Sequence, residues 1–186
     1  MRSLLLVTER LVLRDLSVFD AEAVFGYRSL PEIARYQAWE PGSAGDVARL
    51  IQEGLAAVPD LPGTWFQLGI CRKEDGALIG DCGLRFPSEQ KDRNQVELGI
   101  TLAPEGQSRG YAIEALTAVI EYLFGDLGKH RVFGSVDPRN EPSMKLMAKL
   151  GFRQEARFKK SLYLKGEWVD DAVFSLVEDD WPLTKG

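Results

Sequence analysis

Histidine and cysteine, the side chains that most often bind zinc, are nearly absent from this sequence. Its 186 residues include one histidine, His130, and two cysteines, Cys71 and Cys82. Because a structural zinc ion takes about four such ligands at close spacing, we expect no metal site. His130 lies between two basic residues at a predicted helix-to-strand junction, where we expect a solvated or helix-capping side chain rather than a catalytic one.

The two cysteines lie on either side of a turn-like sequence, Glu74-Asp75-Gly76. A hairpin centred there places Cys71 opposite about residue 78 and Cys82 opposite about residue 67. The two thiols then do not face each other. We therefore expect two buried free cysteines and no disulfide.

Long apolar runs and an excess of positive charge are also missing. No stretch of about 18 consecutive apolar residues occurs, which argues against a membrane-spanning helix. The net charge is -5 and the pI is about 5.1, which argues against nonspecific binding to nucleic acid. Residues 1–7 contain one Arg and an apolar patch too short for a secretory signal, so a cytoplasmic location is the expectation.

What is present is typical of one globular domain over residues 1–186. Hydrophobic residues make up 45% of the chain and charged residues 27%, and no repeat or linker divides it. Hydrophobic periodicity predicts a mixed α+β fold of about six or seven strands and four or five helices. The expected strands are Arg10–Leu13, Trp65–Cys71, Ala77–Phe86, Gln95–Leu102, Arg131–Val136, Phe152–Tyr163 and Glu167–Leu176. The expected helices run from Ser17 or Asp20 to about Tyr27, near Pro31–Tyr36, from Asp46, from Ile113 to Phe124 and from Pro142 to Leu150.

The turn between the strand at Val96–Leu102 and the helix at Ile113–Phe124 is the most informative segment. It contains no Lys-Ser or Lys-Thr pair after Gly110, as a P-loop would, and no G-x-G-x-x-G dinucleotide motif. The first N–H groups of a helix lack intrahelical partners, and the helix dipole makes them attractive to anions. Gly110 permits close approach of a ligand, and Arg109 adds a planar cation suited to phosphate. Residues 107–112 therefore predict a pyrophosphate cradle, the alternative being a plain strand-to-helix turn.

The pattern Gln-x-x-Gly-x-Ala of the cradle, with Arg before the Gly, resembles the acetyl-CoA-binding motif of the GNAT N-acetyltransferases. Further segments resemble the ribosomal-protein N-terminal acetyltransferase (Rim-type) branch of that family. They are Thr8–Arg14, Val96–Ile100, Asn140–Ser143 with Lys149–Phe152, Gly166–Asp170 and Asp180-Trp181. The resemblance runs in order from about residue 7 to residue 181.

This resemblance implies the GNAT fold, a mostly antiparallel sheet with flanking helices whose fourth and fifth strands splay apart around the cofactor arm. It implies that acetyl-CoA contacts the fourth strand and the cradle. The residues concerned are Ile100, Thr101, Leu102, Gln107, Ser108, Arg109, Gly110, Tyr111 and Ala112. The implied activity is direct acetyl transfer to a primary amine, either a protein N-terminus or a small molecule, without a metal. The alternative is a non-catalytic acyl-CoA-binding or regulatory module. Because relatives are often homodimers, the resemblance also implies a possible homodimer.

Acetyl transfer requires an unprotonated amine, and Glu97 is the candidate base. A lysine-like amine costs roughly 4–5 kcal/mol to deprotonate at pH 7, whereas an α-amine costs only about 1 kcal/mol. Glu97 lies on the fourth strand just before the residues expected to contact the cofactor, where it can act directly or through a water. The alternative is a surface carboxylate in a cross-strand pair. The catalytic role requires that the strand face shared with Gly99 and Thr101 be buried.

Ser143 and Asn140 are the remaining candidates. Ser143 at a helix start can simply cap the first turn. The resemblance implies that its hydroxyl instead lies near the thioester sulfur, where it assists the departing thiolate, and that the Asn140 side chain contacts the cofactor arm. Many GNAT members have a Tyr general acid where this chain has Met147, which supports the regulatory alternative. Some Rim-type relatives have an acidic residue at the position of Leu162, so a ribosomal-protein acceptor does not follow from the resemblance.

Five aromatic residues are candidates for the wall of an acceptor cleft. Aromatic side chains in a domain of this size lie mostly in the core. We therefore expect at most about two of them to contact substrate. The five are Tyr36, Trp39, Phe86, Tyr163 and Trp168.

Overall fold

A single eight-stranded sheet organises the chain in the computed structural model, which describes residues 4–54 and 58–182. The strands are β1 (Leu5–Val7), β2 (Leu11–Asp15), β3 (Thr64–Arg72), β4 (Leu78–Phe86), β5 (Gln95–Leu102), β6 (Arg131–Val136), β7 (Arg153–Leu164) and β8 (Glu167–Val177). Their spatial order is β1-β2-β3-β4-β5-β6-β8-β7. Neighbours are antiparallel except β5 and β6, which are parallel.

Five α-helices cover the sheet in the described part of the chain. They are α1 (Ala21–Arg28), α2 (Pro31–Ala34), α3 (Ala44–Gly54), α4 (Tyr111–Glu121) and α5 (Glu141–Lys149). A π-helical turn, Tyr122–Asp126, continues α4, and short 3-10 turns occur at Val18–Asp20, Gln90–Asp92, Pro104–Gly106 and Glu178–Asp180. No described helix is both long enough and apolar enough to cross a bilayer.

Alternation along the strands gives the sheet two apolar faces, each with its own helices. Burial of each large apolar side chain stabilises the fold by about 1.5–3 kcal/mol. On one face, apolar residues of the central strands pack with α4; they include Leu13, Leu68, Leu84, Leu116 and Ile120. On the other face α1, α2 and α3 form a smaller cluster that includes Leu16, Val24, Ile33, Val47 and Ile51.

The parallel pair β5 and β6 separates partway along its length. Pairing runs from Gln95 opposite Arg131 to Glu97 opposite Phe133 and then stops, although β5 continues to Leu102. The edge of β5 that faces β6 is therefore open beyond Glu97, and Gly99 is exposed there. This confirms the splayed strand pair expected of the GNAT fold.

The structure differs from the predicted elements at the N-terminal edge and at helix ends; α4 begins at Tyr111, two positions before the predicted Ile113, and gives way to the π-helical turn at Tyr122. The eighth strand, β1, was not predicted because it has three residues, lies at the edge of the sheet and buries little of its surface. Helix α3 begins at Ala44, two positions before the predicted Asp46. The bounds of β5 and β6 agree with the prediction at both ends.

The cysteines lie where the hairpin geometry places them. Cys71 pairs with Leu78, whereas Cys82 pairs with Leu68 rather than residue 67, because an irregularity after Ile70 shifts the register. Both cysteines are free and buried, and burial raises the pKa of each thiol. His130 is exposed, and its Nδ1 lies 3.0 Å from Oε1 of Glu178.

Candidate active site

The cradle, residues 107–112, turns the chain from β5 into α4. Gly110 is the N-cap of α4 at φ +82°, a left-handed conformation that favours glycine, and no side chain caps the helix. Ser108 also has a positive φ of 59°. Gln107 steadies the turn, because its Nε2 donates to the carbonyl of Leu102 at 3.0 Å. The first N–H groups of α4 thus lie beside an exposed, glycine-capped turn, as an anion site requires.

A cluster of side chains from the turn between β1 and β2 and from α4 holds the cradle in place. The carboxylate of Glu114 accepts hydrogen bonds from the Thr8 hydroxyl at 2.6 Å and from the backbone N–H of Arg10 at 2.7 Å. The Arg10 guanidinium donates to the same carboxylate at 2.6 Å and to the carbonyl of Arg109 at 3.0 Å. It also lies 4.6 Å from the ring centroid of Tyr111. The sequence placed Thr8–Arg14 in the first strand of the family but did not reveal this anchor.

A cleft of about 980 Å³ opens where β5 and β6 separate. It is bounded by β3, β4 and β5, by α1 and α3, and by the start of α5. Of the candidate residues, Glu97, Ile100, Thr101, Asn140 and Ser143 line it. Leu102 pairs with Gly80, and neither Leu102 nor the cradle forms part of the cleft wall. The candidates thus fall into two groups, one in the cleft and one at the adjacent turn.

Glu97 lies beside the point where the strands separate and is opposite Arg85 on β4. Its Oε2 accepts from the Arg85 guanidinium at 3.1 Å, and its side chain is 22% exposed. Gly99 and Thr101 share its strand face, and both line the cleft. Thr101 is buried but Gly99 is exposed, so the burial required of a catalytic carboxylate is met only in part, and the cross-strand pair that formed the alternative is present.

Asn140, not Ser143, caps α5. The Asn140 Oδ1 accepts from the backbone N–H of Ser143 at 3.3 Å. The Ser143 hydroxyl has no hydrogen-bond partner among residues 4–54 and 58–182, and its residue lines the cleft. Met147, one turn further along α5, is buried, and a side chain at Gly134 would collide with its methyl group.

Of the five aromatic candidates, only Phe86 lies in the core, so the expectation that most of them are core residues is wrong. Tyr36 and Trp39 line the cleft, and the Tyr36 hydroxyl donates to the carbonyl of Arg139 at 3.2 Å. Phe86 belongs to the core, and Tyr163 packs edge-to-face on Trp168 on the exposed β7–β8 hairpin. Trp65, which the sequence analysis did not select, also lines the cleft and is 49% exposed.

A buried network, which we call the floor network, consists of Tyr27, Arg28, Gln37, Asp81 and Thr101. Asp81 is 1% exposed and accepts from the Tyr27 hydroxyl and from Nε of Arg28, the latter at 3.1 Å. Arg28 also donates to Gln37, whose Nε2 donates to the Thr101 hydroxyl at 2.7 Å. Burial, reinforced by the charge of Asp81, raises the pKa of Tyr27. Burial alone would lower the pKa of Arg28, but Asp81 outweighs it and the pKa is raised.

The floor network therefore consists of a neutral Tyr and a firmly paired Arg–Asp couple that tie α1 to β4, with Gln37, beyond α2, joining them to β5. Sequence reasoning missed it because its members are far apart along the chain. The one local signal is Asp81 itself, a carboxylate among apolar residues and glycines over residues 78–84 of β4, where burial would require hydrogen-bond partners.

Residues 10–153 match the family described as "Acetyltransferase (GNAT) domain". The chain belongs to the GNAT acetyltransferase family. This GNAT chain is 33% identical over 175 residues to the uncharacterized N-acetyltransferase YoaA of Bacillus subtilis strain 168, covering 94% of this chain and 97% of the relative. It is 29% identical over 185 residues to the ribosomal protein uS5-alanine N-acetyltransferase of Escherichia coli K12, covering 95% and 92%. A GNAT acetyltransferase structure from Bacillus anthracis superposes with a TM-score of 0.83 at 25% identity, covering 95% of this chain and 99% of that one.

Family membership establishes the reaction. This GNAT protein is an acetyl-CoA-dependent N-acetyltransferase that transfers an acetyl group to an amine. The predicted resemblance to the Rim-type branch is confirmed, at modest identity.

Proposed function

We propose that acetyl-CoA binds with its pyrophosphate over the cradle and its arm beside Ile100, Thr101 and Leu102. The acetyl group then passes directly to a primary amine in the cleft. The observation that carries this proposal is the end of β5–β6 pairing at Glu97, which leaves the edge of β5 open from the cleft to the end of the strand that precedes the cradle. The open edge of β5 offers backbone groups to an extended arm, and the gap lets that arm reach amines on the far face of the sheet.

The cradle fits the diphosphate of acetyl-CoA on four counts. It offers first-turn N–H groups of α4, a glycine at φ +82° whose missing side chain leaves room for the ligand, the exposed Arg109 and the dipole of an 11-residue helix. Gln107, Ser108, Tyr111 and Ala112 complete this turn, and Ser108 offers its N–H where many relatives have glycine. Bound acetyl-CoA supplies an activated acyl group and a thiolate leaving group.

Glu97 is the proposed base. Its Oε2 is held by Arg85, which leaves Oε1 to accept a proton from an ammonium group directly or through a water. Arg85 thereby positions the carboxylate at the point where the strands separate. A base of this kind is nearly obligatory for a lysine-like amine, whose deprotonation costs roughly 4–5 kcal/mol at pH 7, and optional for an α-amine.

Ser143 is the proposed donor to the departing thiolate, and Asn140 the proposed contact for the cofactor arm. The Asn140 cap fixes the first turn of α5, so the Ser143 hydroxyl is not needed for capping and is available to a ligand. Met147 cannot donate a proton, so the thiolate leaves with help from Ser143 alone. A thiol pKa of about 8.5 makes this feasible.

The acceptor is a protein N-terminus or a small-molecule amine. The Escherichia coli relative, whose name gives an alanine of ribosomal protein uS5 as its acceptor, supports the first class. The size of the cleft accommodates either class, since about 980 Å³ is at the upper end of the usual range for small-molecule sites.

Release of free thiol from acetyl-CoA in a panel of amines tests the proposal, with Glu97→Gln as the decisive variant. We expect Glu97→Gln to lower kcat for a lysine-like amine by about 100-fold or more while the Kd for acetyl-CoA changes by less than about twofold. The low-pH limb of the rate profile should shift at the same time. The matched control is Glu22→Gln, on the exposed face of α1, which should behave as wild type.

Two outcomes would contradict parts of this proposal. An unchanged rate and pH profile in Glu97→Gln would leave the carboxylate with the structural role of a cross-strand partner for Arg85. Tight acetyl-CoA binding without thiol release for any amine would instead indicate a binding or regulatory module.

A further inference from the structure

One hydroxyl group in the cleft wall, that of Thr101, has a fixed hydrogen-bond polarity. The Gln37 side chain lies between Arg28 and Thr101: its Oε1 accepts from the Arg28 guanidinium, and its Nε2 donates to Oγ1 of Thr101 at 2.7 Å. A guanidinium can only donate, so the amide oxygen of Gln37 must face Arg28 and the amide NH2 group must face Thr101. Oγ1 of Thr101 is therefore an acceptor toward Gln37, and the single proton of the hydroxyl must point to another partner.

The floor network provides no acceptor for that proton. Thr101 is opposite Asp81 on the neighbouring strand. Both oxygens of the Asp81 carboxylate are already engaged, Oδ1 by Arg28 and Oδ2 by Arg28 and the Tyr27 hydroxyl. Within residues 4–54 and 58–182, the Thr101 hydroxyl accepts from Gln37 and donates to no group. Because Thr101 is only 8% exposed, and buried polar groups without partners are rare in folded proteins, we expect a ligand to accept this proton.

The Thr101 side chain lies on the side of the sheet where the acceptor is proposed to bind. Ile100 and Leu102 pack against the core cluster that includes residues of α4. Successive residues of a strand point to opposite faces, so Thr101 points to the other face, where it contacts Gln37 and lines the cleft. The cradle opens α4, so under the proposed function the cofactor arm approaches from the face of Ile100 and Leu102 and along the edge of β5. The free donor therefore faces the acceptor.

We propose that Thr101 donates a hydrogen bond to a neutral oxygen atom of the acceptor, and that Gln37 is the positioning residue that fixes this polarity. The inference rests on the proposed function, because that function places the reacting amine beside Glu97. Glu97 and Thr101 lie on one strand face, and four residues of strand separate their Cα atoms by roughly 13 Å. The oxygen and the amine of the acceptor are therefore joined by a spacer of several bonds.

Matched pairs of amines test the inference. Each pair consists of a methoxyalkylamine, whose ether oxygen can only accept a hydrogen bond, and the n-alkylamine with the same number of chain atoms, which offers no oxygen. The pairs differ in spacing, with three to six methylene groups between the nitrogen and the oxygen. The quantity measured is the ether-to-alkylamine ratio of kcat/KM, from thiol release with acetyl-CoA. Both members of a pair carry one ammonium group, so changes in the charge of the cleft cancel in this ratio.

Three variants assign the effect to the two residues. Thr101→Val removes the hydroxyl and should lower the ratio by about two- to tenfold at the best spacing, chiefly through KM. Thr101→Ser keeps the hydroxyl and should retain the ratio. Gln37→Glu replaces the donating NH2 group by a carboxylate oxygen that accepts the Thr101 proton, so it should lower the ratio as Thr101→Val does. The matched control Gln154→Glu, at an exposed position of β7, should behave as wild type.

Three results would overturn the inference or part of it. A wild-type ratio in Thr101→Val at every spacing means that the acceptor receives no hydrogen bond from this hydroxyl. A higher Kd for acetyl-CoA in Thr101→Val with the ratio retained means that the hydroxyl serves the cofactor arm instead. A lowered ratio in Thr101→Val together with a wild-type ratio in Gln37→Glu removes the positioning role of Gln37. If Thr101→Val does not fold, the ratio in Gln37→Glu decides the inference.

The outcomes separate this inference from the proposed function. Thiol release with several amines but an unchanged ratio refutes only the inference. Absence of thiol release with any amine refutes the proposed function. Binding measures the same hydrogen bond without turnover: the ether should raise the Tm of the CoA-bound protein more than the alkylamine does, and this difference should shrink in Thr101→Val.

Discussion

The cradle and the floor network lie on two sides of the proposed active site but are built in opposite ways. The cradle is a contiguous exposed turn that presents backbone N–H groups and is anchored by the partly exposed Arg10–Glu114 pair. The floor network joins side chains from α1, β4 and β5 and from Gln37 beyond α2, with a carboxylate that is 1% exposed. A backbone site suits a diphosphate that every acetyl-CoA enzyme must bind. A site made of side chains suits the acceptor, because acceptors differ from one enzyme to another and side chains can change with them.

The two regions should also differ in how much each interaction stabilises the fold. Loss of one partner from a buried ion pair leaves an uncompensated charge and costs about 3–5 kcal/mol. Exposed pairs are typically worth about 1 kcal/mol or less. Substitutions in the floor network should therefore mainly lower the free energy of unfolding, whereas substitutions in the cradle should mainly weaken the binding of acetyl-CoA.

The largest effect is expected from Asp81→Ala. This change leaves the Arg28 guanidinium buried without its carboxylate, so the free energy of unfolding should fall by about 3–5 kcal/mol in denaturant titrations. Asp75→Ala, which removes the partner of Arg72 at an exposed turn, is the matched control and should cost about 1 kcal/mol or less. Equal losses in the two variants would erase the contrast between the buried and the exposed region.

Ser143→Ala tests a residue of the cleft that belongs to neither the cradle nor the floor network. If the hydroxyl assists the departing thiolate, kcat should fall by about 10- to 100-fold, the scale of one hydrogen bond in a transition state. The Tm should hardly change, because Asn140 is the cap of α5. Asn140→Ala, in contrast, should lower stability by about 1 kcal/mol. A stability loss of that size in Ser143→Ala with unchanged kcat would assign Ser143 a structural role.

The contrast between a contiguous turn and a network of distant side chains also explains which features of the fold and the site the sequence can predict. Strands β5 and β6 and the cradle could be predicted because strand periodicity, a helix start and a positive-φ glycine are local signals within a few residues. The partners of Asp81 could not, since Tyr27 and Arg28 lie more than 50 positions away and any of several cations would satisfy the same carboxylate.

Smaller errors of the prediction have equally definite causes. Strand β1 has too few residues for a periodicity to show. Cys82 pairs one position away from the predicted partner because β4 has one extra residue opposite the Ile70–Cys71 step. The pattern of apolar residues does not reveal such an extra residue. Ser143 was considered as a cap because both it and Asn140 are good capping residues, and only the hydrogen-bond geometry distinguishes them.

Gly110→Leu tests the cradle by ligand affinity. A side chain at φ +82° is strained and also obstructs the approach of the diphosphate, so the Kd for acetyl-CoA measured by calorimetry should rise by about tenfold or more. Gly76→Leu is the matched control, because Gly76 has φ +72° in the β3–β4 turn with nothing within 4 Å of its side-chain position. Both variants should lose similar stability, about 1–2 kcal/mol, but only Gly110→Leu should lose affinity. Unchanged affinity in folded Gly110→Leu would place the diphosphate elsewhere.

The smallest effect is expected from Glu114→Gln and concerns pH. Burial alone would raise the pKa of Glu114, but the hydrogen bonds from Thr8 and Arg10 outweigh it, so the pKa lies below its ordinary value of 4.5. A carboxyl with a lowered folded-state pKa contributes stability that is present above the unfolded-state pKa and is lost as pH falls through the folded-state pKa. Wild type should therefore exceed Glu114→Gln by about 1 kcal/mol in free energy of unfolding at pH 7, with the difference shrinking in acid below about pH 4.5.

Denaturant titrations of both proteins across that pH range provide the measurement, with the exposed Glu22→Gln as a control that should track wild type. A difference that grows in acid would mean that burial, not the hydrogen bonds, dominates at Glu114. The Kd for acetyl-CoA in Glu114→Gln should rise by less than about threefold, since the variant loosens the Arg10 anchor but removes no group that contacts the diphosphate. A loss as large as that of Gly110→Leu would show that the anchor, rather than the backbone of the turn, determines the affinity of the cradle.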